Sequence, residues 1–305
     1  MYALENIPYI LAISEMSNPD FALIKNLYTR LKAGNYREAE ETLQLMQSHY
    51  EKNGDHRIKP DAKIYTAVIG ALVDSGEVGL GQKAEDLLDQ MNALKDVYPN
   101  KVTYNAVINA LGKSGEEGIV QRIEKTLKKM EQGYIDGNKS LEPDRAIYNN
   151  IINVLAKSGE KESGKMAEDM LNKMLKLYGE GNNNMNPYSW SFSATINALV
   201  GSSEQGFPHK AELILCKIEA LYAECNNNAK PNTIICNSVI NAWAKSDEKG
   251  RGQKAEDLLD RMVKLHMSGK KNFEPNEITY GSVIKAWAKS AYKEWKRHIW
   301  KRKVM

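Results

Sequence analysis

The sequence predicts an all-α fold, a right-handed superhelical α-solenoid of stacked antiparallel helical hairpins. Three observations carry this: one 14-residue motif recurs six times, a second motif follows each of the first five copies in phase, and a proline junction separates consecutive units. The first motif reads VTYNAVINALGKSG over 102–115, AIYNNIINVLAKSG over 146–159 and IICNSVINAWAKSD over 234–247, with looser copies at 63–76, 190–203 and 278–291. Its aromatic or thiol position falls on Tyr65, Tyr104, Tyr148, Phe192, Cys236 and Tyr280, at steps of 39, 44, 44, 44 and 44 residues. The second motif ends on Met91, Met130, Met174, Ile218 and Met262, at steps of 39, 44, 44 and 44.

Each first motif is helical by its period. Tyr104, Val107, Ile108 and Leu111 stand at i, i+3, i+4 and i+7 and form one apolar stripe, as do Tyr148, Ile151, Ile152 and Leu155. The Lys-Ser-Gly that follows is a stop signal, because Gly115 or Gly159 can take the left-handed cap conformation. Ala84, Leu87, Leu88 and Met91 give the second helix the same stripe. Neither helix can bury its stripe alone, so neighbouring hairpins must stack into a continuous core. The junctions Pro60-Asp61, Pro99-Asn100, Pro143-Asp144, Pro187-Tyr188, Pro231-Asn232 and Pro275-Asn276 end one hairpin and lead into the next helix. The Gly/Asn-rich linkers before them are expected to be exposed loops on one edge. The resulting division is a capping segment at 1–19, a degenerate first repeat at 20–61, and repeats 2 to 6 at 62–100, 101–144, 145–188, 189–232 and 233–276. A partial repeat with a basic tail fills 277–305. The register also places Trp243 and Trp287 in the core.

Charge and composition narrow the function. The 42 Lys+Arg against 39 Asp+Glu leave a net +3. Residues 291–305 alone carry +5, so residues 1–290 sum to about −2. This is no polycation, and a nucleic-acid partner would have to be held by local charge and base contacts. Cys216, Cys225 and Cys236 fit no metal-ligand spacing, and the five histidines form no cluster, so no cofactor or metal is expected. No apolar run reaches the ~20 residues of a membrane span, so no membrane partner is expected. Residues 1–13 read neither as a signal nor as a transit peptide, and a reduced intracellular protein is expected. The His-x-Glu and Cys-x-x-Cys set of a deaminase and the Gly-rich phosphate loop are both missing, so the chain is expected not to be an enzyme.

One polar stripe recurs on the first helices. At about 100° per residue, Asn105, Asn109 and Lys113 share a face that avoids the apolar stripe. Asn149, Asn153 and Lys157 repeat it, as do Asn237, Asn241 and Lys245. A single polar stripe is ordinarily a solvated face; three matching copies point to a ladder. Lys113, Lys157, Lys245 and Lys289 are then candidate phosphate contacts.

The pattern x-Tyr-Asn-x-[Val/Ile]-Ile-Asn-x-[Leu/Trp]-x-Lys-Ser-Gly, an Ala-Glu-x-[Leu/Met]-Leu helix and Pro-[Asp/Asn] together resemble pentatricopeptide repeats, over residues 62–290 well and 20–61 weakly. The unit of 44 residues departs from the family's roughly 35. The resemblance implies a single-stranded RNA binder reading one nucleotide per repeat, acting in a mitochondrion or plastid in RNA stabilisation, processing or translation. It implies that the fifth residue of each first helix and the last residue of the repeat specify a base. The implied pairs are Thr66 with Asn100, Asn105 with Asp144, Asn149 with Tyr188, Ser193 with Asn232, and Asn237 with Asn276. Family usage implies adenine, uracil, no assignment at the Tyr188 pair, adenine and a pyrimidine, 5′ to 3′. The second residue of each helix would stack on the base: Lys63, Val102, Ala146, Trp190, Ile234 and Ile278. The alternative reading is a protein–protein scaffold, with protein partners on the solenoid surface.

Overall fold

The computed structural model describes residues 24–304, apart from 28, 31, 32, 34, 55, 95, 225 and 226, and gives the backbone alone for 227 and 291–304. The capping segment expected at 1–19, the start of the first repeat, Cys225 and the side chains of the basic tail lie outside the described residues. The chain forms two compact units, Met1–Pro143 and Asp144–Met305.

In the first unit, α1 (Tyr36–Asn53) precedes two hairpins, α2 (Ala62–Ser75) with α3 (Gly81–Ala93) and α4 (Lys101–Lys113) with α5 (Ile119–Ile135). The second unit holds α6 (Arg145–Ser158) with α7 (Ser163–Gly179), α8 (Ser189–Ser202) with α9 (Phe207–Ala223), α10 (Thr233–Lys245) with α11 (Arg251–Met267), and α12 (Glu277–Val304). Every regular element among the described residues is helical. Within each unit the first helices pack side by side, α2 on α4, then α6 on α8, α8 on α10 and α10 on α12, and each second helix packs back on its own partner. That is the solenoid pattern of stacked hairpins.

The core follows the two periodic series. Tyr65, Tyr104, Tyr148, Phe192 and Cys236 are buried, and so are Met91, Met130, Met174, Ile218 and Met262. Burial raises the phenols of Tyr65 and Tyr104 above the ordinary tyrosine value and pushes the Cys236 thiol up to about 12. The first series breaks at its sixth member. Tyr280 is 49% exposed and Trp287 is 41% exposed, which corrects the assignment of Trp287 to the core. Trp243, one repeat earlier, is 1% exposed, with Nε1 donating to Glu212 at 3.0 Å. The reason is geometric: α11 follows α10 and covers its stripe, whereas no second helix follows α12 among the described residues.

The helix ends match the stop signals. Gly76, Gly115 and Gly159 take φ of +67°, +64° and +62°, and Ser203 adopts +52° at the equivalent place. Gly164 at the start of α7 is required by packing. A Cβ there would stand 2.8 Å from the Leu199 Cα and 2.5 Å from the Ser202 Oγ.

The linkers differ from the expected exposed loops. In the 44-residue units the second helix has 17 residues against 13 in α3, and a 3-10 turn follows, at Lys139–Leu141, Asn183–Met185, Asn227–Ala229 and Lys271–Phe273. Each turn inserts one apolar residue into the stack: Leu141, Met185, Ala229 and Phe273 are buried. The extra residues thus lengthen the second helix and anchor its exit, because an apolar side chain in each linker gains by leaving water. First-position side chains then tie one linker to the next. Ser189 Oγ donates to the Lys230 carbonyl at 2.7 Å, and Thr233 Oγ1 donates to the Glu274 carbonyl at 2.9 Å.

Candidate RNA interface

The junction residues start the site. Asp61, Asn100, Asp144, Asn232 and Asn276 each cap the following first helix. Asn100 Oδ1 accepts from the amides of Val102 and Thr103, Asp144 Oδ1 from those of Ala146 and Ile147, Asn232 Oδ1 from Ile235 and Asn276 Oδ1 from Thr279. A short side-chain acceptor before a helix satisfies amides that have no partner inside it. Each of these five residues therefore holds the next helix through one oxygen, and at Asn276 that oxygen also accepts from the fifth-position Asn237. Tyr188 cannot do this and makes no cap bond; instead the Arg145 guanidinium lies 4.2 Å from its ring centroid.

The fifth-position side chains meet the next first helix. Thr66 Oγ1 lies 2.7 Å from Thr103 Oγ1, Asn149 Oδ1 accepts from Ser191 Oγ at 2.7 Å, and Asn237 Oδ1 accepts from Thr279 Oγ1 at 2.7 Å. Asn237 also donates to its paired residue, Asn276 Oδ1, at 3.1 Å. Thr66, Asn105 and Asn149 are half-buried, whereas Ser193 and Asn237 are 5% and 8% exposed. The burial of those two departs from an open ladder. Ser193 Oγ turns to its own helix and donates to the Trp190 carbonyl at 3.0 Å, and Asn237 is gripped by two residues of the next repeat.

The second-position residues stand out of the stack in both units: Val102, Ile234 and Ile278 are 62%, 65% and 65% exposed and Trp190 47%, with Lys63 and Ala146 also exposed. Large apolar side chains left in water at one repeated position are the informative kind of exposure.

Charge separates the two helix layers. Consecutive second helices are bridged by ion pairs, Arg122 to Glu85 at 2.7 Å, Lys210 to Glu168 at 3.4 Å, Lys254 to Glu212 at 3.7 Å and Arg261 to Glu219 at 2.7 Å. Lys157 and Lys245 of the first helices are exposed and have no acidic partner among the described residues. Lys113 Nζ donates to the Val73 carbonyl at 3.2 Å, at the end of the preceding first helix. Burial, then the charges of Arg251, Lys285 and Lys245, hold the Lys289 ammonium below the ordinary lysine value. α4, α6 and α10 thus each offer, along one side, an apolar face, a short polar group and a cation.

A pentatricopeptide repeat domain model matches residues 50–114 and 86–158. Residues 50–158 thus match the pentatricopeptide repeat family. Two solved structures share its fold: the pentatricopeptide repeat protein PPR10 in complex with an 18-nt psaJ RNA element, and a cysteine-to-serine variant of PPR10 with the same element. Each aligns at 18% identity and a TM-score of 0.55, over 91% of this chain and 36% of PPR10, so the chain spans about a third of that protein's length. Curated proteins provide no match. In pentatricopeptide terms, the residues that sequence reasoning missed are Thr103, Ser191 and Thr279, third in their helices. Their hydroxyls sit one residue before the core aromatic position, a signal readable only once their partners on the previous repeat are known.

No helix among the described residues is long and apolar enough to cross a membrane, and no group of three His, Cys, Asp or Glu side chains there is arranged to hold a metal ion.

Proposed function

We propose that this chain binds single-stranded RNA with base selectivity, one nucleotide per repeat, and acts in an organelle by occupying a transcript during its stabilisation, processing or translation. The observation that carries the reading is the recurrence, on successive first helices within each unit, of an exposed second-position side chain beside a hydrogen-bonding fifth-position group: Val102 with Asn105, Trp190 with Ser193, and Ile234 with Asn237. Short amides and hydroxyls pair with the Watson–Crick edge of an unstacked base, and a flat or aliphatic face beside them stacks on it. Asn100, Asp144, Asn232 and Asn276 complete the pairs with Thr66, Asn105, Ser193 and Asn237, and Lys113, Lys157, Lys245 and Lys289 meet phosphates. The preference expected from the pairs is adenine, uracil, an unassigned base, adenine, pyrimidine. PPR10, whose fold this chain shares, was solved with RNA bound, which supports the same ligand class here.

The test is binding to single-stranded oligonucleotides that carry or scramble this order, at several salt concentrations. Affinity should fall with salt and favour the matching order, and Asn105→Ala and Asn237→Ala should each flatten the preference at one nucleotide. Equal binding of every oligonucleotide by parent and variants refutes base reading. Failure to retain any single-stranded RNA at moderate salt refutes RNA binding altogether and leaves a protein scaffold.

A further inference from the structure

The third residues of the six first helices are Ile64, Thr103, Ile147, Ser191, Ile235 and Thr279, an alternation of aliphatic and hydroxyl side chains. All six are buried. The aliphatic ones pack, while each hydroxyl meets the fifth residue of the repeat before it. We propose that Thr103, Ser191 and Thr279 are positioning residues that set the hydrogen-bonding polarity which Thr66, Asn149 and Asn237 present to a base. The proposal rests on the base-reading function above and names what orients it.

The argument counts protons. Thr66 Oγ1 donates its one proton to the Ala62 carbonyl at 2.7 Å. With that proton used, Thr103 donates the 2.7 Å contact, in preference to Asn100 Oδ1 at 3.4 Å, and Thr66 offers a base a lone pair. A base amino group such as that of adenine matches it.

At Asn237 a donor is added. Asn276 Oδ1 is committed as an acceptor because it caps α12 through the Thr279 amide at 3.2 Å. Asn237 must therefore turn Nδ2 towards Asn276 and Oδ1 towards the Thr279 hydroxyl. The capping bond thereby fixes the amide orientation, and Asn237 keeps one N–H beside its second Oδ1 lone pair; the N–H suits a base oxygen or ring nitrogen. Ser191 Oγ donates to Asn149 Oδ1 at 2.7 Å and so holds that side chain by its oxygen. Ser193 is the contrast within the same unit. The next third residue is Ile235, which offers no hydrogen bond, and the Ser193 hydroxyl turns back on its own helix at Trp190. Polarity is thus set from outside at Thr66, Asn149 and Asn237, and from within at Ser193.

The test uses the full chain and four oligonucleotides differing only at the nucleotide that faces Asn149, with a second set for Asn237. Ser191→Ala removes one hydroxyl that caps nothing, and Ser191→Thr restores it; Thr279→Ser is the matching control at the other site. One hydrogen bond gained or lost is worth about tenfold in affinity. The parent should therefore separate its best and worst base at the Asn149 nucleotide by about tenfold. Ser191→Ala should bring the four within about twofold while leaving preference at the other nucleotides unchanged and lowering the melting temperature by no more than about 2–4 °C, and both hydroxyl-keeping variants should discriminate as the parent does. Unchanged discrimination by Ser191→Ala refutes the positioning role, and so does a loss spread evenly over all nucleotides. A parent that shows no base preference refutes the base-reading function itself, and the positioning role falls with it.

Discussion

Asn276 joins fold to site, and its replacement separates the two. The residue holds α12 through Oδ1, which accepts from the Thr279 amide, and the same oxygen receives the Asn237 amide at 3.1 Å. Asn276→Ala removes both. Loss of the cap costs about 1 kcal/mol. The Asn237 N–H, 8% exposed, loses its acceptor and costs about another 1 kcal/mol, towards the low end for a buried donor because water can reach the exposed Asn276 position. The sum, about 2 kcal/mol, lowers the melting temperature by about 4–8 °C for a unit of this size. Asn276→Asp keeps a capping oxygen and an acceptor for Asn237, so its melting temperature should stay within about 2 °C of the parent. It exchanges an amino group for a second acceptor, so its base preference should move towards bases that present an N–H. Thermal melts by circular dichroism and oligonucleotide binding on the same three proteins make the comparison. If Asn276→Asp melts as low as Asn276→Ala, the shared oxygen is not what holds Asn237 and α12, and the argument is wrong.

Other perturbations read separate parts of the structure. Gly164→Ala would push a Cβ to 2.8 Å from the Leu199 backbone and should destabilise by about 1–3 kcal/mol, whereas Gly70→Ala, in the middle of α2 with nothing within 4 Å, should gain up to about 1 kcal/mol; urea unfolding compares the two. With a thiol held at about 12 and buried, Cys236 should resist alkylation at pH 8 until the protein unfolds, while the exposed Cys216 reacts at once; peptide mass mapping after a short pulse distinguishes them. Lys157→Ala combined with Lys245→Ala should flatten the salt dependence of RNA binding, reducing the log–log slope by about 1.4, as expected for two lost single-strand phosphate contacts. An unchanged slope would remove those lysines from the interface.

Much of the fold was legible because a repeat states its pattern several times. The Tyr104 series and the Met91 series gave helix faces, register and core, and both are buried in every hairpin that has a complete neighbour. Tyr280 and Trp287 carry the same pattern and are exposed, since burial depends on the helix that follows and not on the residue. The linkers read as loops because Gly and Asn dominate them, yet single apolar residues such as Leu141 and Phe273 dock into the stack. A lone hydrophobic residue has no period to reveal it.

The chain's own pattern determined that it is all-helical, where each hairpin begins and ends, and which side of each first helix carries amides and lysines. Those properties depend on helical period and on capping chemistry, which act over a few residues. Only the tertiary structure decided that Asn149 accepts from Ser191 and Asn237 from Thr279, each 42 residues further along the chain, and that Ser193 lies buried while Thr66 and Asn149 are half-buried. A hydrogen bond between repeats requires two first helices at packing distance with matched rotation, and a linear sequence does not record that distance.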